Sequence, residues 1–160
     1  MSVHSFQRVQ NFTAPLEEVW NFFASPSNLA VLTPEYLNLN FTNKIYGSAM
    51  YPGQIITYNV RPLFGIPFFW MTEITQVRPM EYFIDQQVRG PFSLWHHQHH
   101  FRETDSGVEM TDLIHYKIPL GMLGSIAAPI VQKKLREIFG YRFRKGEELF
   151  NVKRSTLNLP

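Results

Sequence analysis

Pro91-Phe-Ser-Leu-Trp-His-His-Gln-His-His-Phe-Arg-Glu103 holds four of the chain's six histidines, set between large aromatic residues. Read as a β-strand, it sends alternate side chains to opposite faces. Trp95, His97, His99 and Phe101 then share one face, and Leu94, His96, Gln98 and His100 share the other. The face carrying Trp95 and Phe101 is expected to turn inward. His97 and His99 become a polar pair in an aromatic-walled interior, while His96 and His100 meet solvent. A register slip of one residue would exchange the two sets.

Turn signals flank this strand, with Gly90-Pro91 before it and Asp105-Ser-Gly107, a tight hairpin, after it. Period-two patterns extend outward on both sides. They predict strands over residues 38–45, 54–61, 68–77 and 82–88 upstream and over 108–117 downstream. Residues 2–12 alternate in the same way and supply a first strand. The predicted inward faces carry Tyr58, Trp70, Phe83, Asp85, Gln87, Met110, Asp112, Ile114 and Tyr116. With no helical pattern between these later strands, an antiparallel meander follows.

After the first strand, Thr13-Ala-Pro15 opens a helix. Thr13 is the expected N-cap, and Glu17 and Glu18 complement the positive helix end. Leu16, Val19, Trp20 and Phe23 fall on one face. Ser25-Pro26 stops it, and residues 26–32 read as a second short helix ended by Thr33-Pro34. Residues 62–67, Pro-Leu-Phe-Gly-Ile-Pro, form a breaker-rich and unusually apolar connection. With Phe68, that connection reads equally as a lid, a packed turn or a dimer contact. Residues 119–124 read as a flexible apolar link. One long helix then covers residues 125–152, with Pro129 near its start and a stripe of Leu135, Ile138, Arg142, Gly146 and Leu149, flanked by Val131, Phe139 and Phe150. Residues 1–154 are read as one domain, and 155–160 as a frayed tail.

The composition fits a packed interior. Of 160 residues, 44% are hydrophobic and 15% aromatic, so the chain must pack a bulky core or line an apolar pocket. A net charge of +2 gives no reason to expect nucleic acid. With no cysteine, disulfides, thiolate catalysis and Cys-ligated zinc are excluded. No secretory leader and no uninterrupted apolar run of about 18 residues are seen, so a cytoplasmic protein without a transmembrane segment is expected. There is no Gly-x-Ser-x-Gly nucleophile motif and no phosphate-binding glycine loop. Lys133, Lys134, Arg136, Arg144 and Lys145 read as a solvated helix face.

The predicted order is α+β: strand, two short helices, six strands, long helix. With these residues it resembles the helix-grip superfamily, which includes START lipid-transfer domains, the birch-pollen-allergen type and polyketide cyclases. More narrowly it resembles a bacterial SRPBCC or cyclase/dehydrase-like group. The resemblance rests on Pro15-Leu-Glu-Glu-Val-Trp-Asn-Phe-Phe23, Asn28-Leu29, Asp85-Gln-Gln87 with Gly90-Pro-Phe92, Trp95-x-His97-x-His99-x-Phe101, Thr111-Asp112, Tyr116-x-x-Pro119-x-Gly121 and Arg136-x-x-Phe139-x-Tyr141-Arg142. It implies a curved seven-stranded antiparallel sheet wrapped around the long C-terminal helix, with a cavity between them.

The ligand-binding residues expected on that cavity are Tyr58, Trp70, Phe83, Asp85, Gln87, Trp95, His97, His99, Phe101, Asp112, Tyr116 and Arg142. Lone buried carboxylates need partners. Arg142, which interrupts the apolar helix stripe, is expected to meet Asp85, Asp112 or both, as a structural ion pair or facing a ligand. His97 and His99 with Asp112 or Asp85 would supply three N/O metal ligands. The sequence fixes neither a third ligand nor the outer partners such histidines need, so no metal or other cofactor is expected.

The first functional reading is binding of a small or medium hydrophobic molecule: a lipid, polyketide or aromatic metabolite. The alternative is a cyclase, dehydratase or hydrolase with catalytic candidates His97, His99 and Asp112: His97 or His99 as acid/base, Asp85 or Asp112 as orienter, and Arg142 stabilising an enolate or oxyanion. A third is an interaction module whose cavity is filled.

Overall fold

A computed structural model describes residues 3–44, 49–63, 65–119 and 121–151; the side chains of 63 and 121–126 lie outside that description. The elements run β1 (His4–Phe12), α1 (Leu16–Phe23), 3-10 turns at Pro26–Leu29 and Glu35–Leu37, β2 (Asn40–Phe41), β3 (Gln54–Leu63), β4 (Ile66–Arg78), β5 (Tyr82–Arg89), β6 (Leu94–Thr104), β7 (Gly107–Lys117) and α2 (Gly121–Phe150). The seven strands form one antiparallel sheet in the order β1-β7-β6-β5-β4-β3-β2. This is the helix-grip architecture expected from the sequence.

Short turns set the register. Thr104 pairs with Gly107 around Asp105-Ser106, which places His99 opposite Asp112 and Trp95 opposite Tyr116. Gly107 has φ +138, and a Cβ there would overlap the Phe12 carbonyl oxygen, so only glycine fits the turn. The β5–β6 register places Asp85 opposite His97 and Phe83 opposite His99. Register shifts between Met71 and Thr72 and between Ile74 and Gln76 interrupt the β4–β5 ladder. Such bulges increase local twist and bend the strand.

Alternation in β6 and β7 is strict, with every second residue from Trp95 to Phe101 and from Val108 to Tyr116 buried. Two apolar clusters cover that face. Phe12, Trp20, Phe23, Phe101, Val108, Met110 and Phe150 make one; Trp70, Trp95, Ile114, Tyr116, Leu135 and Phe139 belong to the other. In α1, Val19, Trp20 and Phe23 are buried, as the helical spacing predicts.

Several local expectations are corrected. Thr13 does not cap α1, whose N-cap is Pro15. Its hydroxyl donates to the Phe150 carbonyl at 3.0 Å, satisfying one of the carbonyls that a helix end leaves without an intrahelical donor. The expected helix over 26–32 is a single 3-10 turn, and a second follows at Glu35–Leu37, beyond the Thr33-Pro34 stop. The expected strand 38–45 is only Asn40–Phe41, because Asn38 is left-handed; residue 45 lies outside the described residues. The 62–67 connection is mostly strand, with β3 reaching Leu63 and β4 starting at Ile66; Phe64 lies outside the description. Helix α2 starts at Gly121 within the expected link, so Pro129 sits inside it. The buried face of α2 carries Leu135, Phe139, Gly146 and Phe150, while Leu149 is exposed. The tail 155–160 lies outside the described residues.

Candidate functional site

A cavity of about 450 Å³ lies between the inner face of the sheet and α2. Apolar residues make most of its wall: Leu32 and Leu37 from the segment after α1, Ile56 and Val60 from β3, Trp70 and Ile74 from β4, Trp95 from β6, and Leu135, Ile138 and Phe139 from α2. Tyr58 and Trp70 stack with ring centroids 6.1 Å apart, and Trp95 meets Trp70 edge-on at 5.3 Å. Offset and edge-to-face pairs of this kind give an aromatic wall a defined shape.

Polar groups gather where β5, β6 and β7 run side by side. Asp85, His97, His99 and Asp112 form a closed ring. Asp85 Oδ2 lies 3.3 Å from His97 Nδ1 and 3.5 Å from His99 Nε2; Asp112 Oδ1 lies 3.1 Å from His97 Nε2 and 2.7 Å from His99 Nδ1. The two imidazole centroids are 3.8 Å apart, and His99 also stacks on Phe83 at 4.1 Å. The four side chains are only 4–14% exposed.

Burial alone would push both carboxyl groups up. For Asp85, contact with His97 and its charge, followed by His99, outweigh burial and hold the group well below its ordinary range. For Asp112, the charge of His99 and the hydrogen bond with His97 do the same. Burial also disfavours the charged form of His97, but the Asp112 hydrogen bond and the Asp85 contact win, and its pKa is raised. Beside the ring, burial and then the Asp85 charge push the Tyr58 hydroxyl up, against an opposing effect of Arg142.

Arg142 does not pair with the carboxylates, contrary to the sequence expectation: among the described residues no ion pair includes it. The two histidines already flank both acids. The Arg142 guanidinium instead lies over the Phe139 ring, 4.9 Å from its centroid, and its buried Nε has no hydrogen-bond acceptor. Arg142 lines the cavity.

Of the twelve expected residues, Tyr58, Trp70, Phe83, Asp85, Trp95, His97, His99, Asp112 and Arg142 line the cavity. Three do not. Phe101 packs into the core, 5.2 Å from the Trp20 ring. Tyr116 is buried against Phe92, and His4 stacks on it. The Gln87 side chain turns to the 90–93 turn, donating to the Phe92 carbonyl at 2.6 Å and accepting from the Phe92 amide at 3.2 Å. His96 and His100 are on the opposite sheet face, as expected, and His100 meets Gln98 at 3.0 Å.

Wall residues missing from the expected set include Thr72, Ile56, Val60, Leu135 and Ile138. The alternation that selected Trp70 already put Thr72 on its face, where it accepts from Trp70 Nε1 at 3.1 Å. A second concavity, on the outer side of α2, is lined by Glu35, Tyr36, Arg136, Tyr141 and other largely polar residues, and shares no residue with the first.

Residues 12–139 match the family described as "Polyketide cyclase / dehydrase and lipid transport". The chain belongs to this family. No curated protein matches the sequence. Among solved structures, the chain is similar to protein Ms6760 from Mycobacterium smegmatis, with 18% identity, coverage of 93% of this chain and 96% of that one, and a TM-score of 0.65. A protein from Arthrobacter aurescens solved by NMR has 15% identity, 97% and 96% coverage and a TM-score of 0.67. Ara h 8.0201 has 13% identity, 92% and 99% coverage and a TM-score of 0.59. At these identities the solved structures establish the fold alone. Membership of this polyketide cyclase/dehydrase and lipid transport family makes the chain a hydrophobic-ligand-binding fold, consistent with a cavity whose wall is mainly apolar. No helix among the described residues is long and apolar enough to cross a membrane.

Proposed function

We propose that the protein binds a small or medium apolar molecule, such as a lipid, polyketide or aromatic metabolite, that carries one oxygen-bearing, preferentially anionic end. The body lies among Ile56, Val60, Trp70, Trp95 and Leu135, and the polar end meets Arg142 and Tyr58. The observation that carries this reading is Arg142 on the wall of a mainly apolar cavity, in no ion pair among the described residues and with a buried Nε that has no acceptor. A buried unpaired donor is costly, and a ligand oxygen would relieve that cost. Apolar burial supplies about 25 cal/mol per Å² before the losses of ordering.

The acid/base enzyme reading is weaker. Each ring nitrogen of His97 and of His99 already lies 2.7–3.5 Å from a carboxylate oxygen, so both imidazoles are engaged within the ring.

Titration with 1-anilinonaphthalene-8-sulfonate, an apolar body with one anionic end, tests the proposal. The wild type should bind it saturably with enhanced fluorescence. Val60→Trp, which fills the wall, should weaken binding by tenfold or more. Undiminished binding by a folded Val60→Trp variant would overturn the assignment of the cavity as the ligand site.

A further inference from the structure

The ring at the polar end of the cavity has the geometry of a metal centre. We propose that Asp85, His97 and His99 bind one divalent transition-metal ion of the zinc class, with Asp112 as the outer carboxylate that orients both imidazoles.

The donor atoms converge. One from each of Asp85, His97 and His99 lies within 4.8 Å of the other two. Zinc binds imidazole nitrogen and carboxylate oxygen at about 2.0–2.2 Å, so neighbouring donors in a tetrahedral site sit about 3.3 Å apart. Asp85 Oδ2 is 3.3 Å from His97 Nδ1 and 3.5 Å from His99 Nε2. Neither approach is aligned as a hydrogen bond, in contrast to His97 Nε2 and Asp112 Oδ1, which are aligned at 3.1 Å. On its Asp85 side the ring therefore sets one carboxylate oxygen at metal-ligand spacing from a nitrogen of each imidazole, with no aligned hydrogen bond along either line.

The opposite side of the ring supplies what metal-bound histidines require. Such an imidazole gives its second nitrogen to a carboxylate or carbonyl, which fixes the tautomer and raises basicity. Asp112 Oδ1 stands beside both rings: it is hydrogen-bonded to His97 Nε2 at 3.1 Å and lies 2.7 Å from His99 Nδ1, an approach not aligned as a hydrogen bond. Adjacent strands fix the arrangement, with Asp85 opposite His97 and Asp112 opposite His99. The third ligand and the outer partner that the sequence did not specify are both supplied by strand pairing.

Three protein ligands leave one position of a four-coordinate ion open, the pattern of catalytic rather than structural zinc. All three ligands line the cavity, so that position is open to an oxygen-bearing molecule held there. The ion's own binding does not depend on which organic molecule enters.

The test uses metal alone. Protein stripped with a chelator is titrated with Zn²⁺ by calorimetry, and Co²⁺ is added separately to read coordination from visible absorption. The expected result is one Zn²⁺ per chain and an intense tetrahedral-type Co²⁺ band. Asp85→Asn and His99→Gln should each weaken Zn²⁺ binding by more than 100-fold, and Asp112→Asn by about 10–100-fold. The double variant His96→Gln/His100→Gln, altered only on the outer sheet face, should bind as the wild type does. Absence of saturable uptake by the wild type would overturn the proposal, whatever the variants do. So would uptake retained by a folded His97→Gln/His99→Gln variant, or lost in the outer-face variant. Failure of organic-probe binding with metal uptake intact would overturn only the ligand reading.

Discussion

Replacing Arg142 with Met separates a ligand-facing arginine from a structural one. If Arg142 were the ion-pair partner of Asp85 or Asp112, its loss would strand a buried carboxylate and cost about 3–5 kcal/mol. The geometry gives a different sum. The guanidinium loses its position over Phe139, 4.9 Å from the ring centroid, a contact of about 0.5–1 kcal/mol. Removing the buried, unpaired Nε relieves about 1–3 kcal/mol. Methionine keeps an unbranched stem and a sulfur suited to an aromatic neighbour. Stability should therefore be unchanged or rise by up to about 2 kcal/mol in urea unfolding. Binding should move the other way. A hydrogen bond to a charged group contributes about 1.5–3 kcal/mol, so decanoate should bind about 10–100-fold more weakly to Arg142→Met. Decan-1-ol, with the same chain and no charge, should lose much less. Destabilisation beyond about 2 kcal/mol, or equal losses for decanoate and decanol, would refute the reasoning.

Asp112→Ala removes the carboxylate that is hydrogen-bonded to His97 and lies beside His99, and urea unfolding should show a loss of about 3–5 kcal/mol. In metal-free protein, the two carboxylates, held below their ordinary 3.8, stabilise the fold fully above that value and lose the contribution as pH falls through their lower folded values. His97, raised above 6.5, stabilises fully below that value and loses its contribution as pH rises through its higher folded value. The ring's contribution should therefore be greatest between 3.8 and 6.5; urea midpoints measured with chelator across pH check this, and a ring contribution that grows above neutrality would contradict it. Gly107→Ala should destabilise by at least about 1–3 kcal/mol, because the turn needs φ +138 and has no room for a Cβ beside Phe12; near-UV circular dichroism and thermal melts read the effect.

Fold and inward faces were legible because sheet alternation is a period-two signal that turn residues punctuate. Trp95, His97, His99 and Asp112 faced inward as the alternation required. The pairing of His99 with Asp112 was also within reach, since the tight turn at Asp105-Ser106 fixes the β6–β7 register. Arg142 misled because a charge on an apolar stripe suggests an ion pair, whereas the two acids had nearer partners across the strands. Phe101 shared the correct face yet became core, because α1 delivers Trp20 onto that end of the sheet. Whether an inward aromatic meets a void depends on which helix packs above it, a tertiary property that alternation does not encode. Gln87 left the cavity for a similar reason, since the turn ending in Phe92 offered its amide both a donor and an acceptor.

The most direct test of the ligand site is a map of intermolecular nuclear Overhauser effects from ¹³C-labelled decanoate to the protein. The expected result is that the chain contacts Ile56, Val60, Trp70 and Leu135 while the carbon next to the carboxylate contacts Arg142. Contacts confined to the outer groove of Tyr36 and Tyr141, or no saturable binding, would contradict it.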